Sequence, residues 1–355
     1  MMNIEVKKSN TINNPQNKNL WVILVPFTIY LCLISIIIFT FTGCQKNKQP
    51  VSKEAFLLDT FISISIYDLD LSKDQNNDAD IILDNCISKI KYYESLFSRT
   101  IETSDVSKIN NAKGTPVKVS DETFDLIKKG IYYSDISDGL FDITIAGATK
   151  LWDFHENNSS NTLPDDELIN AAVSHISYKN IIIDETNKTV ALKDPLAEID
   201  LGGLAKGYIA DRIKEYLVLK NVTSAIINLG GNILTIGSKP DNQPFKIGIK
   251  KPFFPGEIIT DVSLTDNGVA TSGIYERYFK INDKVYHHIL NPKTGYPVET
   301  DLYSVSVISD SSVESDALGT ICILLGKEKA SDFVKQFSDA RFIFVDSDYS
   351  LLSIP

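Results

Sequence analysis

From Leu20 to Phe41 the chain is apolar without one charged residue, and Thr42, Gly43 and Cys44 follow directly. Residues 1–19 are polar overall and carry Lys7, Lys8 and Lys18. A basic start, an apolar run and small residues at its end form an export signal. At about 22 residues the run is long enough to cross a bilayer as an uncleaved helix. Small residues directly before a cysteine are also what a lipoprotein signal peptidase reads, although Phe41 stands where that pattern usually has Leu. On either reading the rest of the chain is expected at the extracytoplasmic face of the cell membrane. With Cys44 lipidated, each buried methylene contributes about 0.8 kcal/mol, so two acyl chains hold firmly. The expected organisation is a signal peptide over 1–43, a polar tether over 44–54 and one folded domain over 55–355.

The 355 residues are 43% hydrophobic and 23% charged, which supplies a full core and excludes a disordered chain. Formal net charge is −11, and with the three lysines and one glutamate of residues 1–44 set aside the body carries −13. Duplex nucleic acid is thereby excluded as a partner. Cys32, Cys44, Cys86 and Cys322 form no C-x-x-C pair, so neither a zinc knuckle nor a disulfide framework is expected.

Phe56, Leu58, Thr60, Ile62, Ile64 and Ile66 alternate with more polar positions, the pattern of one half-buried strand. Helical spacing follows at Ile82, Cys86, Ile90, Tyr93 and Phe97, again after Ser120, and again after Pro164. Strands then dominate: 181–183, 190–192, 245–249, 278–281 and 285–290, the last two joined by the Asn282-Asp283 turn. Two helices near 313–325 and 327–337 and a strand at 342–345 close the chain. Helices early and hairpins late predict an α+β fold of mostly antiparallel sheets with packed helices, in two lobes.

Several segments carry chemistry, each with a purely structural reading beside it. Ile199 to Tyr208, I-D-L-G-G-L-A-K-G-Y, runs through glycines into a helix whose free N–H groups and Lys206 suit a phosphate or pyrophosphate; a helix cap with close packing of Gly207 explains it equally. Asn228-Leu229-Gly230-Gly231-Asn232 reads as a tight turn. Thr271-Ser272-Gly273 with Arg277 suits an anion or a strand edge. His287 and His288 point to opposite faces of a strand, so at most one is chemical, and an imidazole there can take a proton near neutral pH. Asp316 and Thr320, spaced i, i+4, offer hard oxygen ligands appropriate for Mg²⁺, or simply a helix-start acid. Phe141-Asp142 with Trp152 and Phe154 offers aromatic planes for a flavin, or core.

In this order the segments resemble the ApbE family of FAD:protein FMN transferases, whose patterns are similar to D-L-G-G-L-A-K-G-Y, N-L-G-G-N, T-S-G-I-Y-E-R, H-H-I-L-N-P-K-T-G-Y-P and D-A-L-G-T here. The resemblance spans about residues 55–350. It implies an ApbE-like fold with a flavin cleft between the lobes, and FAD contacts from Leu140, Phe141, Asp142, Asp200, Lys206 and Leu290. It implies Mg²⁺ on the Gly203 carbonyl, Asp316 and Thr320, with Asp316 and His288 as the catalytic residues and His288 as proton acceptor. Leu58-Asp59-Thr60, standing for Met-Gly-Thr, should line the flavin entrance. Thr100 for an aromatic residue, Asn291 for Asp, and Ala146-Gly147-Ala148 for Gly-Pro are further departures.

The activity so implied is Mg²⁺-dependent transfer of FMN from FAD to a Thr or Ser hydroxyl of an exported flavoprotein, an electron-transfer subunit of Rnf or Nqr type, with release of AMP. An FAD pyrophosphatase giving free FMN, and a lipoprotein that only binds flavin, are the alternatives. On so acidic a body, Lys206, the helix start and a cation must reverse the local field for a diphosphate to bind.

Overall fold

Two consecutive residues in the left-handed region, Leu58 (φ 56°) and Asp59 (φ 55°), break what the alternation presents as one strand. The computed structural model describes residues 49–72, 78–152, 154 and 162–355. In it β1 (Val51–Leu57) and β2 (Thr60–Leu69) form a hairpin with Leu57 opposite Thr60. Positive φ at both central residues is what a two-residue hairpin turn demands. The Leu58 N–H is tied to the Glu94 Oε1 at 2.7 Å. Phe56 consequently lies outside the core. Strand pairing from Val51 also shortens the expected tether, since Val51–Glu54 belong to the fold. Cys44 and the signal segment lie outside the described residues.

Helix α1 (Ala79–Phe97) starts at Asp78, whose side chain accepts the Asp80 N–H, and buries the apolar positions its spacing predicts. Next come α2 (Asp105–Asn111), β3 (Val117–Lys118), α3 (Asp121–Ile136) capped by Ser120, α4 (Ala146–Thr149) and α5 (Asp166–Val173). After β4 (Ile181–Asp184) and β5 (Thr189–Leu192), α6 (Gly202–Leu219) leads to β6 (Val222–Leu229) and β7 (Asn232–Ile236). The chain continues through β8 (Phe245–Lys250), β9 (Ile258–Leu264), β10 (Gly268–Gly273), β11 (Tyr278–Ile281), β12 (Lys284–His287) and β13 (Leu302–Ser309). It closes with α7 (Ser312–Leu325), α8 (Lys327–Phe333), β14 (Arg341–Asp346) and β15 (Leu351–Ile354). β12 stops at His287, short of the expected Leu290, and β15 is a strand the sequence pattern did not announce.

Eight strands make the main sheet in the order β1-β2-β6-β7-β10-β13-β14-β15, every pair antiparallel. One face carries α1, α6 and α7. The β8–β9 hairpin packs Ile249, Val262 and Leu264 against Val269, Ile308 and Ile343 on the opposite face. A small sheet, β3-β5-β4, adds Val190 and Leu192 to the same continuous core as Ile64, Leu204 and Ala317, so the two parts of the fold share one interior. A satellite cluster of Ala148, Trp152, Ile169 and Leu290 lies apart from it.

Candidate active site

The site is built where α6 and α7 cross. A Cβ on Gly207 would stand 2.4 Å from the Ser312 carbonyl oxygen and 2.5 Å from the Val313 Cα, so only glycine lets the two helices approach this closely. One turn earlier on the same face, Gly203 lies against the Phe141 ring, whose Cε2 would be 3.0 Å from an added Cβ. Both glycines therefore do the packing that their structural reading requires, and the packing brings distant polar groups together.

Asp316, on α7, is buried, and its Oδ2 accepts the Gly207 N–H at 3.1 Å. In helical geometry the Gly203 carbonyl points toward that same N–H. Desolvation raises the Asp316 pKa, while the Lys206 ammonium, the Gly207 N–H and the Asn232 amide favour the ionised form. Thr320, one turn on, donates its hydroxyl to the Asp316 carbonyl at 3.2 Å and stands 3.2 Å from the Ser272 Oγ of β10. Gly319 allows this closeness, since a Cβ there would meet Ser272 Oγ at 2.8 Å. Asp211 holds the start of α7 by accepting the Ser312 N–H at 2.8 Å and the Val313 N–H at 3.1 Å.

At the mouth of α6, the Asp200 Oδ1 accepts the Gly202 N–H at 2.8 Å and its Oδ2 pairs with the Arg99 Nε at 3.1 Å. Arg99, two residues past the end of α1, is a site residue that the sequence motifs do not single out. Asp142 is buried with one oxygen on the Thr144 N–H and hydroxyl at 2.8 and 2.7 Å, and the other on the Tyr178 N–H at 2.8 Å. Burial raises its pKa. Its side chain thus organises the segment that presents Leu140 and Phe141.

His288 sits one residue past β12, half-buried. Its N–H donates to the Arg277 carbonyl at 3.1 Å, and its Nδ1 is 3.3 Å from the same oxygen, which leaves Nε2 as the acceptor. Desolvation, then the positive charges of Arg277, His287 and Lys206, push its pKa down to about 3, so the ring is neutral at neutral pH. His287 turns the other way, buried, with Nε2 3.1 Å from the Val298 carbonyl and Nδ1 accepting the Ile289 N–H at 3.3 Å. The two rings part as the strand geometry predicts, and His287 is structural. The Lys206 charge favours the ionised Asp316 carboxylate and disfavours protonation of the His288 ring. Leu290 packs instead in the Trp152 cluster, whose indole N–H donates to the Gly295 carbonyl at 2.8 Å.

The arrangement offers an acidic anchor, a hydroxyl, a helix-directed carbonyl, a lysine and a neutral imidazole, a set suited to charge-driven phosphoryl chemistry. The sequence profile of the ApbE family matches residues 58–344. An FAD:protein FMN transferase of Klebsiella pneumoniae (strain 342) is 38% identical over 87% of this chain and 93% of its own length. One from Treponema pallidum (strain Nichols) is 29% identical over 86% and 87%. The crystal structure of the ApbE protein of Thermotoga maritima superposes with a TM-score of 0.78 at 32% identity, covering 86% of this chain and 96% of that one. The flavin transferase ApbE of Vibrio cholerae, with a TM-score of 0.75 at 22% identity over 86% and 96%, has the same fold. Profile, relatives and fold agree over most of the chain with the motifs gathered at the α6–α7 crossing, and this protein belongs to the ApbE family.

Proposed function

We propose that this chain is an FAD:protein FMN transferase that moves the FMN half of FAD onto a Thr or Ser hydroxyl of an exported flavoprotein. The observation that carries the reading is the meeting of Lys206, Gly207, Asp316 and Thr320 at one helix crossing, from segments 109 residues apart. In the reaction the acceptor oxygen bonds to the FMN-side phosphorus, the bridging P–O bond breaks, AMP leaves with the bridging oxygen, and the acceptor proton passes to the His288 Nε2. Lys206 and the start of α6 bind the diphosphate charge. Leu140, Phe141 and Asp200 border the flavin nucleotide, with Asp142 shaping the first two.

Among the described residues no three acidic, His or Cys side chains gather as a metal site. The donor set of one carboxylate, one hydroxyl and one carbonyl is nevertheless the hard-oxygen kind that Mg²⁺ takes while keeping waters and substrate phosphates. The buried carboxylate of Asp316, whose ionisation Lys206, the Gly207 N–H and Asn232 support only in part, fits a cation. Gly203, Asp316 and Thr320 would hold Mg²⁺, which when bound neutralises charge developing on the phosphates.

The apolar run before Cys44 supports a lipid anchor on the extracytoplasmic face, and an acceptor exposed on that side, such as an electron-transfer subunit of Rnf or Nqr type, follows from it. The test is to incubate the protein with FAD, Mg²⁺ and such a subunit and read the acceptor's intact mass and AMP release. An FMN increment on the acceptor supports transfer; free FMN and AMP without it identify a pyrophosphatase, and intact FAD a binding protein.

A further inference from the structure

Asn232 opens β7 directly after the Gly230-Gly231 turn and is almost wholly buried. Its register opposite Leu229 turns its side chain to the helix-bearing face of the sheet. There the Oδ1 accepts the hydroxyl of Ser312, the first residue of α7. The Ser312 hydroxyl could accept as well as donate, so the amide orientation is set on its other side, where Nδ2 rather than the amide oxygen faces the Asp316 carboxylate and favours its ionised form. The Nδ2 is left buried with no hydrogen-bond partner of its own. An unpaired buried N–H is unfavourable, and native proteins retain few of them without use.

Ser312 and Asp316 are one turn apart on α7, so an amide bound to the first lies alongside the second. The Asn232 amide is close enough to Asp316 to favour its ionised form, although Nδ2 is not in hydrogen-bonding position. Thr60 wedges against the turn from below, its Oγ1 lying 2.5 Å from where a Gly230 Cβ would be, so the β6–β7 turn is seated and Asn232 with it.

We propose that Asn232 is a positioning residue for the transfer: its Nδ2–H closes on the Asp316 carboxylate when the site is loaded and fixes which carboxylate oxygen faces the cation. The inference rests on the transferase reading, with Asp316 as cation ligand. Gly207 N–H and Asn232 N–H would then hold the carboxylate from two elements, α6 and β7, against a helix whose own start is pinned by Asp211. Ser312 serves as the latch that keeps the amide aimed.

The test is Mn²⁺ binding, followed by electron paramagnetic resonance with FAD present, together with steady-state transfer kinetics for the wild type, Asn232→Leu, Ser312→Ala and Asn228→Ala. Asn228 belongs to the same turn, accepting the Gly231 N–H at 2.9 Å, and serves as control for a loosened turn. Asn232→Leu should weaken Mn²⁺ binding at least tenfold and lower kcat, with KM for FAD within about twofold, and Ser312→Ala should fall between it and wild type. Asn228→Ala should leave Mn²⁺ affinity within about twofold. Wild-type affinity in both Asn232→Leu and Ser312→Ala overturns the proposal, as does an equal loss in Asn228→Ala. Should Asn232→Leu fail to fold, Ser312→Ala decides. A wild type that transfers FMN yet binds no Mn²⁺ overturns the cation assignment and this inference but not the activity; a wild type that binds Mn²⁺ without transfer removes the activity alone.

Discussion

The Gly207 backbone N–H donates to the Asp316 carboxylate at 3.1 Å, and it does so because Gly207 has no side chain to hold the two helices apart. Gly207→Ala puts a methyl group into backbone atoms that cannot yield, at 2.4 and 2.5 Å. Overpacking of this kind costs about 1–3 kcal/mol, more than alanine returns in helix propensity. The expected outcome is a melting temperature several degrees lower and a loss of transfer beyond what the loss of folded protein explains. Thermal denaturation and turnover at a temperature where the variant is fully folded check it; unchanged values in both refute it.

Asp316→Ala removes the buried carboxylate whose ionisation the fold only partly supports. Fold and melting temperature should be retained, because relief of a desolvated charge offsets the lost packing. Transfer should fall by about 10²–10³ or more, the usual effect of deleting a strong electrostatic partner. Circular dichroism and AMP release measure the two sides, and AMP release at the wild-type rate would contradict the role.

His288→Ala should bind FAD with near wild-type affinity and turn over slowly, since the ring is assigned to the acceptor's proton rather than to the flavin. Fluorescence quenching of FAD on binding gives the first quantity and single-turnover flavinylation the second. Loss of FAD binding would move His288 from proton acceptor to ligand contact.

His287 has a folded pKa lowered to about 4 by burial, below its ordinary value of 6.5. Between those values the unfolded chain binds more protons than the folded one, so stability falls as pH drops from about 6.5 toward 4. At one pKa unit per 1.36 kcal/mol the effect amounts to about 3 kcal/mol at most. His287→Gln should therefore flatten the acid side of the stability curve in urea titrations between pH 4.5 and 7, and a slope equal to wild type would exclude His287 as its source.

Much of the fold was readable from residue patterns because it depends on neighbours in the chain. Ile82, Cys86, Ile90, Tyr93 and Phe97 predict α1 and are its buried face; Ser120 predicts the start of α3 and caps it. The break at Leu58-Asp59 escaped because an alternating pattern runs through a two-residue turn without a glycine to mark it. Strand β15 escaped because Leu351 and Leu352 are exposed at a sheet edge and show no inward alternation.

For the site, the sequence by itself determined the chemical kinds: which glycines, which lysine, which acid and hydroxyl one helical turn apart, and that the two adjacent histidines face opposite ways. Only the tertiary structure decided that Arg99 stands on Asp200, that Ser272 meets Thr320, that Asp142 is spent on Thr144 and Tyr178, and that Asn232 reaches the start of α7. Periodicity and capping are set by bonds within a few residues, whereas these contacts are set by how closely two helices and a sheet can approach, a distance governed by the volumes of side chains far apart in the sequence.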